Sequence, residues 1–290
     1  SAASDVYKRQ SLYRGYTENQ PLGENRFHLD LKRGKRLDRW SQCFAVWIPD
    51  ELRGKAAMTL FDGCCEKFRR ELAPYRSETF SPVLTVEGGA VLGGKLANLE
   101  KLADRGVKMM TLTWNGENEL GGGADTALGL TPFGREALKE MERLSIVADV
   151  SHASDALFYD VAAIAEKPIV ASHSNARAVC PHRRNLTDRQ FQILRDKGGL
   201  VGLNFCVHFL REDSNAHFED LLRHADHFWS LGGETTLCLG SDYDGTDVPP
   251  ELDGIEKMQD LYELFLKHNY KESLVNSLFF DNASKFFATL

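Results

Sequence analysis

Two histidines, His152 and His173, stand twenty-one positions apart in the stretch SIVADVSHASDALFYDVAAIAEKPIVASHSNARAVCPHRRN (145–185), and each follows a serine at the end of an apolar run. A neutral imidazole offers one lone pair, so it can hold a metal ion or carry a proton. Each histidine alone has an ordinary reading as a hydrogen-bonded polar residue. The repeat of Ser-His at two successive strand ends favours a pair that works together. Carboxylates lie at comparable places: Glu87 after 82–86, and Asp242 with Asp244 after 235–241. One glutamate, two histidines and an aspartate on one face suit hydrolytic zinc chemistry, since imidazole and carboxylate are ligands of a borderline cation. A carboxylate can also bridge two such ions. The candidates for metal binding and hydrolysis are therefore Glu87, His152, His173 and the aspartates Asp242 and Asp244.

Other polar residues share the strand-end position. Trp114 and Asn115 follow 107–113, and Asn204 ends 199–205, which makes them candidates for substrate contact. Within PHRRN, His182 can line the mouth, and Arg183 or Arg184 can clamp a carboxylate through a bidentate guanidinium fork. His224 and His227 lie three apart on a helical pattern, but no glutamate stands between them to form H-E-x-x-H, so a helix surface is their better reading.

These residues converge only if the elements carrying them are parallel strands. Apolar runs at 42–48, 82–86, 107–113, 145–150, 167–172, 199–205 and 235–241 alternate with helical patterns, clearest in 51–71, 132–144, 154–165, 187–197 and 214–231. Such continuous runs, with helices between, describe parallel strands covered on both faces. Ser154 and Thr187 fall at N-caps, and Gly198 follows a last helical turn. Seven strands is one short of a (β/α)8 TIM-type barrel, where ligands sit at the strands' carboxyl ends. A doubly wound sheet is the alternative, but no G-x-G-x-x-G or Walker loop follows any strand. The cluster Gly121-Gly122-Gly123 reads as a flexible active-site loop.

The chain has 290 residues, 42% of them apolar and 27% charged, which suits one domain with a sizeable core. Its net charge of −7 disfavours nucleic acid and anionic membranes as partners. No stretch of about 18 apolar residues is present. The six cysteines show no C-x-x-C spacing and are expected to be reduced core residues, which points to a cytoplasmic protein. A homodimer is left open.

Several stretches together resemble the membrane (renal-type) dipeptidases: TVEGG (85–89), LTWNGENELGGGA (112–124), ADVSHAS (148–154), SHSNARAVCPHRRNLTD (172–188), GLVGLNF (199–205) and GSDYDG (240–245). The resemblance runs in order from residue 28 to residue 290. It implies a (β/α)8 zinc peptidase that cleaves dipeptides through a metal-bound hydroxide. Two zinc ions are implied, with Glu87 as the bridging glutamate and His152 and His173 on one metal. Arg184 matches the arginine that holds the substrate carboxylate, and Asp242 the aspartate that handles protons near the scissile amide. Trp114 stands where animal members carry a histidine, and Trp-Asn there resembles the bacterial branch.

The front of the chain departs from the family. There the first strand bears an H-x-D motif that supplies the remaining metal ligands. Here that place is occupied by SAASDVYKRQ (1–10), which carries no histidine and resembles translated adaptor sequence, so it is set aside from a single barrel domain over 11–290. His28 and Asp30 form another H-x-D, but they match a later segment of the family. The expectation is a barrel with its first strand missing or replaced and a doubtful second metal. The alternatives are a catalytically impaired or non-catalytic homologue, or an amidohydrolase acting on another small amide.

Overall fold

The computed structural model describes the backbone of residues 2–5 and the whole of residues 11–290. Seven strands form one parallel sheet: β1 (Ala2–Asp5), β2 (Arg39–Trp47), β3 (Phe80–Glu87), β4 (Val107–Thr111), β5 (Val147–Asp149), β6 (Val201–Leu203) and β7 (Leu237–Leu239). Their spatial order is β5-β4-β3-β2-β1-β7-β6. The expected strand at 167–172 is reduced to single parallel bridges, Asp149 with Val170 and Ala171 with Val201. Those bridges join β5 to β6, the two ends of the sheet, so the order of parallel strands runs round to meet itself.

The gap expected at the first strand is filled. Ala2–Asp5 pairs with Arg39–Gln42 on one side, and Asp5 pairs with Leu239 on the other. Ladder bonds use only backbone N–H and C=O groups, so two open strand edges accept a segment of almost any sequence between them. The remainder of SAASDVYKRQ, residue 1 and residues 6–10, lies outside the described residues, and so does any test of the missing H-x-D ligands there.

Period-two alternation builds the ring interior in layers. The lowest layer is apolar: Cys43, Val83, Met109, Val147, Val170, Leu200 and Cys238 form one buried cluster. Two residues further along the strands come Thr85, Thr111, Asp149, Ser172, Gly202 and Gly240, and two further again Trp47, Glu87, Asn204 and Asp242. The interior thus turns from apolar to polar toward the strands' carboxyl ends. Gly202 and Gly240 are required in the middle layer, because a Cβ on either would lie 1.9 or 2.4 Å from the Ser172 carbonyl oxygen.

Helices wrap the outside, each presenting an apolar stripe. In Gly54–Glu71 the buried residues Ala57, Phe61, Cys64, Cys65 and Phe68 recur at helical spacing. The anticipated caps are present. Ser154 Oγ accepts from Leu157 N, Thr187 and Gln190 form a reciprocal capping box, and Gly198 takes a left-handed φ of 70° just past its helix. Helix Met258–Lys267 and the turns that follow were not singled out in the sequence. The last helix, Asn282–Phe287, closes the floor of the ring: Ala283 joins the lowest layer, and Asn282 Nδ2 donates to the carbonyls of Glu234 and Leu237. All six cysteines are buried and none is bonded to another. No described helix is long and apolar enough to cross a membrane.

Candidate metal centre

Strand register sets the level of the site. Glu87 pairs with Thr111, Thr111 with Asp149, and Asp149 with Val170. His152 lies three residues beyond Asp149 and His173 three beyond Val170, so the repeated Ser-His motif puts both rings just above one rung of the ladder. His152 has a left-handed φ of 68°, which turns its side chain back over the ring. His152 Nε2 lies 2.9 Å from Glu87 Oε1, and the two imidazoles are 4.7 Å apart. One donor atom from each of Glu87, His152 and His173 falls within 4.8 Å of the others, and all three residues are buried. This is the one such group among the described residues.

Both imidazoles are held through Nδ1. His152 Nδ1 lies 2.7 Å from Asn115 Oδ1, and His173 Nδ1 lies 3.0 Å from Ser172 Oγ. A partner on Nδ1 fixes the ring and leaves Nε2 facing the centre, the usual arrangement behind a metal-ligating histidine. The donor set therefore fits one divalent cation: two imidazoles and a carboxylate, buried and within reach of one another, as in three-ligand zinc sites. His28 and Asp30 do not join it. His28 exchanges hydrogen bonds with the backbone and side chain of Asp244, while Asp30 caps the turn Leu31–Gly34 and pairs with Arg33.

Arg184 reaches the centre from the loop after His173. Its Nη2 lies 2.5 Å from His173 Nε2, and its buried Nε has no hydrogen-bond partner. Burial pulls the guanidinium below its ordinary pKa, against the attraction of Asp242, Glu87 and Asp149. Arg183 by contrast is exposed and paired with Asp125 at 2.8 Å. His182 Nδ1 accepts from Arg184 N, and burial followed by the neighbouring Arg184 lowers its pKa. The loop itself is anchored by Asn175, which bonds the Asn204 backbone through both side-chain atoms, and by His224, whose Nδ1 accepts from Ala176 N.

The remaining candidates take distinct places. Asp242, at a φ of 55°, has Oδ2 3.3 Å from Asn204 Nδ2. Trp114 stacks edge-on against Trp47 with centroids 5.2 Å apart, and its ring lies 6.3 Å from His152. Trp47, in register with Glu87, has a buried indole N–H without a hydrogen-bond partner. The glycine cluster is tightly built rather than loose. Gly123 bridges to Ala153, and a Cβ on it would lie 2.1 Å from the Trp114 carbonyl oxygen. His224 and His227 make no metal pair, and His224 is fully buried rather than on a helix surface: its Nε2 meets the Leu210 carbonyl at 3.1 Å, while His227 meets Asp188 at 2.7 Å.

Sequence reasoning passed over Asp149, Ser151 and Ser172, which are fully buried behind the histidines. A signal existed: Asp149 is a carboxylate inside the otherwise apolar run SIVADV, and a charge is not buried there without partners.

Comparison with known proteins gives the family and the fold. The family model for membrane dipeptidases, peptidase family M19, matches residues 10–289. A Klebsiella pneumoniae protein described only as an uncharacterized protein in the pqqA 5' region is 35% identical over 212 residues, covering 69% of this chain and 78% of that one. Among solved structures, a metallopeptidase of family M19 called dipeptidase AC superposes with a TM-score of 0.90 at 29% identity, over 97% of this chain and 96% of that one. A Rhodobacter sphaeroides metallopeptidase, solved with a phosphinate mimic of the dipeptide L-Ala-D-Ala, gives 0.88 at 28% identity, over 99% and 98% of the two chains. Parallel strands, a Glu-His-His cluster at their carboxyl ends and a match over nearly the whole length lead to one assignment: the chain belongs to the membrane dipeptidase family of metallopeptidases.

Proposed function

We propose that this chain hydrolyses the peptide bond of dipeptides with a single zinc ion held by Glu87, His152 and His173. The observation that carries the substrate reading is Arg184: a buried guanidinium beside the ligand cluster, with an N–H left without a partner. An unpaired buried donor is costly, by about 1–3 kcal/mol or more for a charged group, and an incoming carboxylate relieves that cost. Trp47 adds a second buried N–H close by, so the site is short of acceptors, which a dipeptide's carboxylate and carbonyl supply.

A zinc ion bound there supplies Lewis acidity and makes a water molecule easier to deprotonate near neutral pH. The protein's own groups do the rest. Arg184 fixes the substrate's terminal carboxylate, so the last peptide bond of the substrate is the one placed at the centre. Asp242, oriented by Asn204, takes the proton from the attacking water and delivers it to the departing amine as the C–N bond breaks. Asn115 keeps His152 in place, and Trp114 with Trp47 walls the site from solvent.

One zinc ion is proposed at this place because Glu87, His152 and His173 form a three-ligand group among the described residues. The same observation favours the second reading, a chain that binds metal and does not turn over. Metal content per chain, measured alongside hydrolysis of a dipeptide panel including L-Ala-D-Ala, separates them. About one zinc with turnover supports the proposal. One zinc without turnover leaves a binding protein, and no zinc with His152→Ala indistinguishable from wild type removes the site.

A further inference from the structure

The polar layer beneath the histidines contains a directed chain of hydrogen bonds. Among its described partners, Asp149 accepts from the backbone N–H of Ser151 at 2.9 Å and of Ser172 at 3.0 Å on Oδ1, and from the hydroxyls of Thr111 and Ser172, the latter at 2.6 Å, on Oδ2. Ser172 Oγ then meets His173 Nδ1 at 3.0 Å, and Arg184 Nη2 meets His173 Nε2 at 2.5 Å.

The proton positions along this chain follow from the chemistry of its ends. A guanidinium has donors only, so the nitrogen it faces, His173 Nε2, presents a lone pair. The ring proton is then on Nδ1, and Ser172 Oγ must accept it. Ser172 has one proton of its own. Its other neighbour, Ser151 Oγ, is 3.4 Å away, whereas the Asp149 carboxylate is 2.6 Å away and is the stronger acceptor. Every link therefore points the same way, from imidazole to hydroxyl to carboxylate. The lone pair that Arg184 now faces is the one a cation needs.

We propose that Asp149, acting through Ser172, is a positioning residue that holds His173 in the tautomer whose Nε2 ligates the metal. This rests on the metal reading given above. It adds two residues that touch neither metal nor substrate, and it gives Ser172 a role that packing alone does not require. The serine before His152 works differently: Ser151 Oγ accepts the His173 backbone N–H, and the His152 ring is held by Asn115 instead.

The test uses the whole chain labelled with ¹⁵N-histidine. In metal-free wild-type protein, the ring nitrogens of His173 are expected to show the Nδ1–H tautomer. Ser172→Ala should turn this into a mixture and weaken zinc binding by about 10- to 100-fold, as loss of such outer partners typically does. Asp149→Asn should do the same, because its amide can donate to Ser172 and reverse the chain. Where Asp149→Asn does not fold, Ser172→Ala decides the question, since it removes only a hydroxyl. An unchanged tautomer and unchanged zinc affinity in Ser172→Ala would overturn the relay while leaving the metal site standing. Unchanged zinc affinity in His173→Ala would instead remove the metal site itself.

Discussion

The guanidinium of Arg184 lies against the metal-facing nitrogen of His173, with Nη2 2.5 Å from Nε2. One lone pair cannot serve both a guanidinium and a cation, so metal binding and this contact exclude each other. A cation on His173 Nε2 would have to displace Arg184 from it. Arg184→Ala is therefore expected to bind zinc at least as tightly as wild type while kcat/KM for dipeptides falls by about 100-fold, chiefly through KM. Arg184→Lys should restore little, because an ammonium lacks the planar fork. Zinc titration and steady-state kinetics on the same preparations check both halves, and weaker zinc binding in Arg184→Ala would contradict the exclusion.

Asp242 is expected to act on kcat. Replacing it with Asn keeps the shape and the neighbour Asn204 but removes the proton acceptor. General acid–base groups contribute about 100- to 10,000-fold. Asp242→Asn should lose rate in that range with KM little changed, and a purely KM effect would assign Asp242 to binding.

His224 makes stability depend on pH. It is buried, donates to Leu210 O and accepts from Ala176 N, and burial pushes its pKa down to about 4. The unfolded chain takes up this proton near pH 6.5, before the folded one does, so stability is full above that pH and drains as pH falls toward 4. The loss between pH 7 and pH 5 should be about 2 kcal/mol. Urea denaturation at the two pH values measures it. His224→Gln should flatten the difference, and an equal drop in the variant would place the sensitivity elsewhere.

Gly123 tests the link between the loop and the ligands. A methyl group there would meet the Trp114 carbonyl oxygen at 2.1 Å and the Asn115 carbonyl at 2.5 Å, so Gly123→Ala must displace the segment that holds His152. Zinc affinity and activity should fall together while the far-ultraviolet circular dichroism spectrum is preserved. A variant with normal zinc affinity would show that Asn115 is not needed to hold the ring.

The residues legible in the sequence were those whose chemistry shows along one strand. The run-and-turn rhythm placed β2 to β7 and their helices, and the repeated Ser-His gave both imidazoles. Ser154 and Thr187 announced their helices because caps are local. What escaped depends on neighbours distant in sequence. Asp149 is explained only by Thr111 and Ser172, and His224 only by the loop at Ala176. The strand at 167–172 was overcalled because buried apolar residues persist where the ladder thins to single bridges. The tight glycines read as freedom because a sequence does not display the carbonyl that a Cβ would strike.

The floor made by Asn282–Phe287 ties the two ends of the molecule together. Ala283 seals the lowest interior layer, and Asn282 grips the start of β7, whose far end leads to Asp242. In chain order Glu87, His152, His173 and Arg184 all precede that seal. The centre is thus assembled from parts that must wait for a late-arriving stopper. Until it arrives, the apolar lowest layer that Ala283 covers has no lid from this helix.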